Sequence, residues 1–244
     1  MPGEIVTFAG GADAVRLVSA LHRLSANDVS EFVLVGGLAV AARLKIFHRA
    51  TQDLDALTGD DRGQFSARAL EIIPGAILRD ANLFVGDVRV DIINVDPKSP
   101  YKAIAELDDP LDRLFNSAHL FAHSDASPMI LRSGEIEASV PVASARSLLI
   151  TKLHAYSNPH RDRRKHPSDA LDIFRLGTQL VGEASRPLAD QSVPREVRAI
   201  AGWGVERIRK HPEDMTRRLA VIGATATKEQ VEALADLMLE DLTA

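Results

Sequence analysis

Asp53-Leu54-Asp55 sets two carboxylates two residues apart inside Thr51 to Leu57, a run whose composition reads as a β-strand. Strand alternation sends both carboxylates to one face and Leu54 to the core. Two like charges on one face need a cation, and carboxylate oxygens suit Mg²⁺, which is usually held by one or two carboxylates together with substrate phosphates. The chemistry implied is phosphoryl transfer; the plainer alternative is a pair of solvated strand carboxylates. Arg49 and Thr51 alternate in phase with Asp53 and Asp55, so four polar side chains share that face. A structural strand rarely needs so many. A third carboxylate, Asp91, interrupts the apolar, β-branched run Val88-Arg89-Val90-Asp91-Ile92-Ile93. Burying it without a partner would be costly. Paired beside Asp53 and Asp55, it would complete a three-carboxylate metal site; at a sheet edge, it would simply face water.

These residues need elements to position them. Glu31 to Val35 reads as a strand stopped by Gly36-Gly37, with Leu38 to Ile46 continuing as a helix. Such a turn can present backbone N–H groups and a helix N-terminus to a phosphate. It is neither a P-loop nor a Gly-x-Gly-x-x-Gly fingerprint. An amphipathic helix precedes it at Ala14 to Leu24, and a connecting helix is expected at Arg62 to Ile72. Ala76 to Asn94 reads as one hairpin whose arms meet at Gly86-Asp87. Beyond Pro97 come a helix near Leu111 to Phe121 and a last strand at Ile136 to Val142. From Ala143 onward the periodicity is helical: Ala143 to Tyr156, Ser168 to Val181, Pro194 to Lys210 and Lys228 to Leu242. The expected division is therefore a catalytic domain over residues 1–142 and a helical domain over 143–244. Trp203 and Phe174 are expected in the core, and Gly182 to Ser192 in an exposed loop.

Composition removes several classes. With no cysteine among 244 residues, disulfides, thiolate zinc sites and cysteine nucleophiles are excluded. No apolar segment approaches the roughly 20 residues that cross a bilayer, and no secretory segment is evident, so the expectation is a cytoplasmic protein without membrane contact. A net charge of -5 argues against non-specific coating of nucleic acid. A local basic patch is still allowed. Arg161, Arg163, Arg164 and Lys165 stand against one acid, Asp162, and could either grip RNA phosphates or form a solvated loop. Arg207, Arg209, Lys210, Arg217 and Arg218 make a weaker second candidate. His119 and His123 lie four apart on the expected helix, but with no third ligand nearby the spacing reads as coincidence rather than zinc.

The ordered set Gly36-Gly37, Arg49-Ala50-Thr51-Gln52-Asp53-Leu54-Asp55 and Asp91 resembles the polymerase-β-type nucleotidyltransferase superfamily, and more closely its AbiEii/MenT-like toxins. The later part of that signature, a lysine and an aspartate on helices, is matched by Lys152-Leu153-His154-Ala155 and by Lys165 to Asp172, so the resemblance spans about residues 31 to 176. It departs at Leu38, where many members carry a hydroxyl, and at Ser168, where a basic residue often precedes the aspartate. The resemblance implies an α/β (α+β) fold, a mixed nucleotidyltransferase sheet with flanking helices plus a C-terminal helical bundle. It implies transfer of a nucleoside monophosphate from an NTP with Mg²⁺ or Mn²⁺, to tRNA at its 3′ end, and an antitoxin as counterpart. Asp53, Asp55 and Asp91 would hold metal, with Asp91 ligating a second ion or accepting the acceptor proton. Gly36, Gly37, Arg49, Thr51 and Lys152 would contact the nucleotide. Asp169 would orient Lys152 or touch the nucleotide, with Asp172, on the same helical face, as its competitor. The rival readings are a transferase that modifies an antibiotic or a protein, and a catalytically retired nucleotide-binding module. Retention of the three carboxylates and Lys152 argues against the last.

Overall fold

Apolar runs of β-branched residues build the strands Glu4–Thr7 (β1), Phe32–Val35 (β2), Asp53–Thr58 (β3), Ala76–Arg79 (β4), Asn82–Val85 (β5), Val88–Asn94 (β6), Ala126–Ser133 (β7) and Ile136–Ala143 (β8). In the computed structural model, which describes residues 3–8, 11–47, 51–98, 101–183 and 187–243, they form one mixed sheet ordered β1-β7-β8-β2-β3-β6-β5-β4. β3 lies near its middle, antiparallel to β2 and parallel to β6. A parallel pair needs a crossover, and the chain supplies it with a helix, Arg62–Ile72, followed by β4 and β5. All four residues of β2 are buried, as befits a central strand.

The helices of this unit are Ala12–Ala26 (α1), Gly36–Leu44 (α2) and Arg62–Ile72 (α3). α1 buries Leu17, Val18, Leu21 and Leu24 against the sheet, chiefly over β8. α2 follows β2 without a loop, so the last strand residue, Val35, stands at the N-cap. α3 begins where the Asp61 carboxylate accepts a 2.8 Å hydrogen bond from the Gly63 N–H, satisfying one of the orphan donors of its first turn.

Three sequence expectations need correction. Ala76 to Asn94 is not one hairpin but three strands, because the chain also turns at Asp80-Ala81, both with positive φ (49° and 58°). β1 and β7 were not anticipated, and they pair in parallel at one side of the sheet. Trp203 is not in the core: it is 44% exposed, while Phe174 is only partly buried.

The second compact unit combines Ser99–Phe121 with Ala145–Ala244, while Met1–Lys98 and Ala122–Ser144 make up the first. Its helices are Tyr101–Ala105 (α4), Pro110–Ser124 (α5, which runs on into the first unit), Ala145–Ser157 (α6), His166–Val181 (α7), Arg195–Lys210 (α8), Pro212–Val221 (α9) and Lys228–Thr243 (α10). α6 packs on α7 and α8, and α10 lies across α8 and α7. A Cβ on Gly204 of α8 would fall 2.8 Å from the Cβ of Leu153 on α6, so this glycine sets how closely the two helices approach. No described helix is long and apolar enough to cross a membrane.

Candidate active site

Pleat and register assemble the carboxylates. Leu54 and Val90 are buried, whereas Asp53, Asp55, Arg89 and Asp91 are only partly so, and all four lie on the opposite face of β3 and β6. The parallel register sets Asp55 opposite Asp91 and Asp53 opposite Arg89. One nitrogen, Nη2 of Arg89, donates to Asp53 Oδ2 at 2.8 Å and to Asp91 Oδ2 at 2.7 Å. Two carboxylates from two strands thus flank a single cation position. Burial works against the Arg89 charge, but Asp91 and then Asp53 outweigh it and hold the guanidinium above its ordinary pKa.

Arg89 was not singled out in the sequence. Its signal was present: it stands two residues before Asp91 on a strand, and therefore on the same face.

Gly36 completes the floor. Its φ is +69°, and a Cβ built there would fall 1.8 Å from Oδ2 of Asp55. Only glycine lets the backbone at the start of α2 lie against that carboxylate, where the positive end of the helix favours a negative charge. Gly37 is buried in the same first turn. Thr51 is buried just before β3, at 4% exposure. Arg49 lies outside the described residues.

The donor set fits a hard divalent cation shared with a nucleotide's phosphates: oxygen ligands on one face, gathered around a position where a positive group already sits. Among the described residues no three acidic or histidine side chains are gathered so that they could hold a metal ion by themselves. Carboxylates supplemented by phosphate oxygens are the arrangement this face offers.

The helical unit holds a second polar cluster. Lys152 of α6 places Nζ 3.0 Å from Asp169 Oδ1 and 2.9 Å from Asp172 Oδ2, both on α7. Asp169 and Asp172 are one helical turn apart and essentially inaccessible, at 1% and 0% exposure. Both aspartates pair with the one lysine. Arg161 turns inward to Asp169, with Nε 2.9 Å from Oδ2 and Nη2 3.2 Å from Oδ1. Burial raises the Asp169 pKa, but Lys152 and Arg161 more than offset it and hold the carboxyl below its ordinary range. Ser168 donates to the Lys165 carbonyl at 2.8 Å.

Two neutral histidines belong to the same unit. His119 Nδ1 lies 2.8 Å from the Phe115 carbonyl, and the Phe115 ring contacts both His119 and His154. Burial above all pushes each pKa down to about 4, and the nearby Arg161 adds to this. His119 is thus packed among core side chains. Of the basic loop, Arg163 and Arg164 are exposed and Lys165 is half-buried, so Arg161 is set apart from them by its ion pair with Asp169.

A family model described as the nucleotidyl transferase AbiEii toxin of type IV toxin–antitoxin systems matches residues 20–242. Among solved structures, JHP933 from Helicobacter pylori superposes with a TM-score of 0.52 at 16% identity, covering 96% of this chain and 94% of that one. A candidate nucleotidyltransferase from H. pylori gives 0.52 at 13% identity, covering 96% and 98%. An antigenic nucleotidyltransferase-like protein from Paracoccidioides brasiliensis gives 0.47 at 17%, covering 88% and 95%. At these identities the two H. pylori structures speak to the fold. No protein of curated function matches the sequence significantly.

Proposed function

The chain belongs to the AbiEii family of nucleotidyl transferase toxins from type IV toxin–antitoxin systems, and on that premise we propose that it transfers a nucleoside monophosphate from an NTP to the 3′ end of a tRNA, using Asp53, Asp55 and Asp91 with Mg²⁺. Family membership brings with it an NTP substrate and an antitoxin counterpart. The observation that carries the site is the β3–β6 register, which sets Asp91 opposite Asp55 with Asp53 one pleat away.

In the reaction a terminal hydroxyl oxygen of the acceptor attacks the α-phosphorus of the NTP. The new P–O bond forms as the bond to pyrophosphate breaks, and the hydroxyl proton must be accepted. A divalent ion held by Asp53, Asp55 and Asp91 would supply charge neutralisation on the phosphates. Asp91 is the assigned proton acceptor, since its partner Arg89 keeps one carboxylate oxygen occupied while the other can face the acceptor. Gly36 and Gly37 present the start of α2 to the phosphates, Thr51 extends the same contact, and the resemblance alone adds Arg49. The family resemblance assigns Lys152 to the phosphates as well; within the helical unit its ammonium is paired with Asp169 and Asp172. The cationic loop at Arg163 to Lys165 favours a polyanionic acceptor over a small cation.

The test incubates the protein with each α-labelled NTP, Mg²⁺ and total RNA, and separates products by size. Label should enter RNA of tRNA length, and periodate oxidation of the RNA 3′ ends beforehand should abolish it. Label on protein or on a small molecule, with RNA blank, would overturn the acceptor assignment.

A further inference from the structure

Arg163 and Arg164, His166 at the start of α7, and Arg217 and Arg218 of α9 line a groove of about 700 Å³ within the helical unit. Two basic stretches some fifty residues apart in sequence are thereby brought to one surface. From this groove we propose a binding site for the phosphodiester backbone of the acceptor RNA, built from residues other than the three carboxylates; the assignment of RNA rests on the acceptor reading above.

Four guanidiniums line the groove against one lining carboxylate, Asp214, with Asp162 beside Arg164, on a chain whose net charge is -5. Among the described residues Arg163 makes no ion pair.

The groove also carries unmet hydrogen-bonding capacity. Arg218 Nη1 and His166 Nε2 are both shielded from solvent and have no hydrogen-bond partner among the described residues. A shielded, unused guanidinium N–H is costly unless something accepts from it. A phosphate oxygen is a natural acceptor for Nη1, since Nη2 of the same guanidinium is already on Asp214.

Arg218 lies 2.7 Å from Asp214 Oδ2 and its guanidinium carbon sits 4.2 Å from the centre of the Tyr156 ring. Arg217 pairs with the other oxygen of Asp214, and Arg164 with Asp162 at 2.9 Å. The side chains are held in place before any ligand arrives, which lowers the ordering cost of binding.

A free triphosphate has the same chemistry as an RNA backbone, but the shape favours the strand. Arg164 and Arg217 are 90% and 75% exposed, so the groove presents its charges along an open surface rather than around one small anion. A neighbouring hollow of about 290 Å³ shares Asp214 and Arg217 and adds Arg207 and His211 together with the carboxylate of Glu213, so the strand's path continues there with a weaker positive charge. Phosphates spaced along a strand can be met in turn.

The test uses the full chain and the double variant Arg164→Gln/Arg217→Gln, whose substituted side chains are exposed. Binding of fluorescein-labelled bulk tRNA is followed by anisotropy from 50 to 300 mM salt, and binding of labelled NTP by equilibrium dialysis. The variant should bind tRNA roughly 10-fold more weakly at about 100 mM salt, and its plot of log K against log salt should be shallower by about 1.5, near the sum for two lost phosphate contacts. NTP binding should be unchanged. Unaltered tRNA affinity and slope, or wild-type protein that binds no tRNA, would overturn the groove. Loss of NTP binding in the variant would overturn it too, by assigning the groove to the triphosphate. Failure of the acceptor reading looks different: wild type would bind tRNA through the groove yet transfer no label to it.

Discussion

Gly36 and Asp55 are fitted to each other: the place of a Cβ on residue 36 lies 1.8 Å from the Asp55 carboxylate oxygen, on a backbone with φ of +69°. Gly36→Ala must therefore displace Asp55 as well as strain its own backbone. The strain should lower stability by about 1–3 kcal/mol, and the displaced carboxylate should lower transfer by roughly 100-fold. Urea titration and turnover measured together separate the two effects. A variant with wild-type turnover would show that Asp55 need not sit where Gly36 allows it.

Arg89 holds Asp53 and Asp91 together through one nitrogen, and a divalent ion at those carboxylates would relieve the same repulsion. In Arg89→Gln the two acids lose the cation that they share. In EDTA the variant should melt several degrees below wild type, equivalent to about 1–2 kcal/mol for so partly exposed a pair. Millimolar Mn²⁺ should recover more of the loss in the variant than it adds to wild type. Equal shifts with Mn²⁺ in both proteins would show that metal does not bind at these acids.

Lys152, Arg161, Asp169 and Asp172 form a cluster of balanced charge whose two acids are essentially inaccessible. Lys152→Met leaves both carboxylates short of a cation and should cost about 3–5 kcal/mol in stability. Asp172→Asn should cost less, because Lys152 keeps Asp169. Combining the two should be less harmful than their sum, a coupling read from a double-mutant cycle. Additive losses would mean the lysine is not bound to Asp172 in solution.

His119 and His154 are held neutral in the folded chain, with pKa values pushed down to about 4 by burial. Once unfolded, each returns to about 6.5. Above that pH neither state is protonated and the full stability is present. Between pH 6.5 and 4 the unfolded chain binds the extra protons, so stability falls as pH falls, by up to about 1.4 kcal/mol per pH unit for each histidine. Below pH 4 the lowered pKa of Asp169 prolongs the loss. Denaturant titrations at pH 7 and 5 measure this slope, and His119→Gln should lower it by somewhat less than half, because burial holds His166 below its ordinary pKa as well. A slope unchanged by that substitution would place the proton uptake elsewhere.

Much of the carboxylate face was legible because strand alternation is a local rule. Asp53 and Asp55 share a face through period 2 alone, and so do Arg89 and Asp91, although only the aspartate was read for its chemistry. That β6 lies beside β3, with Asp91 opposite Asp55, is a long-range pairing that no local pattern specifies. The Asp80-Ala81 turn escaped because alanine seldom adopts positive φ. β7 escaped because Ser127 and Pro128 interrupt its opening half, and β1 because it is four residues long with Ile5 54% exposed. Trp203 is apolar by type yet lies off the buried face of its helix. The buried stripe of α8 runs through Val197, Ile200, Ala201, Gly204, Val205 and Ile208, and position 203 falls outside it. The helical unit's inclusion of Ser99–Phe121 is a further fact of tertiary contact, hidden from any reading in chain order.

Transfer is proposed to take place on the face that bears Asp53, Asp55 and Asp91. The most direct measurement compares wild type with Asp55→Asn and Asp91→Asn, following α-labelled NTP into total RNA and pyrophosphate into solution, with melting curves to confirm folding. Wild type should release one pyrophosphate for each nucleotide incorporated, and each folded variant should be slower by about 100-fold or more. Variants that fold normally and transfer at the wild-type rate would contradict the account and place the chemistry on another surface.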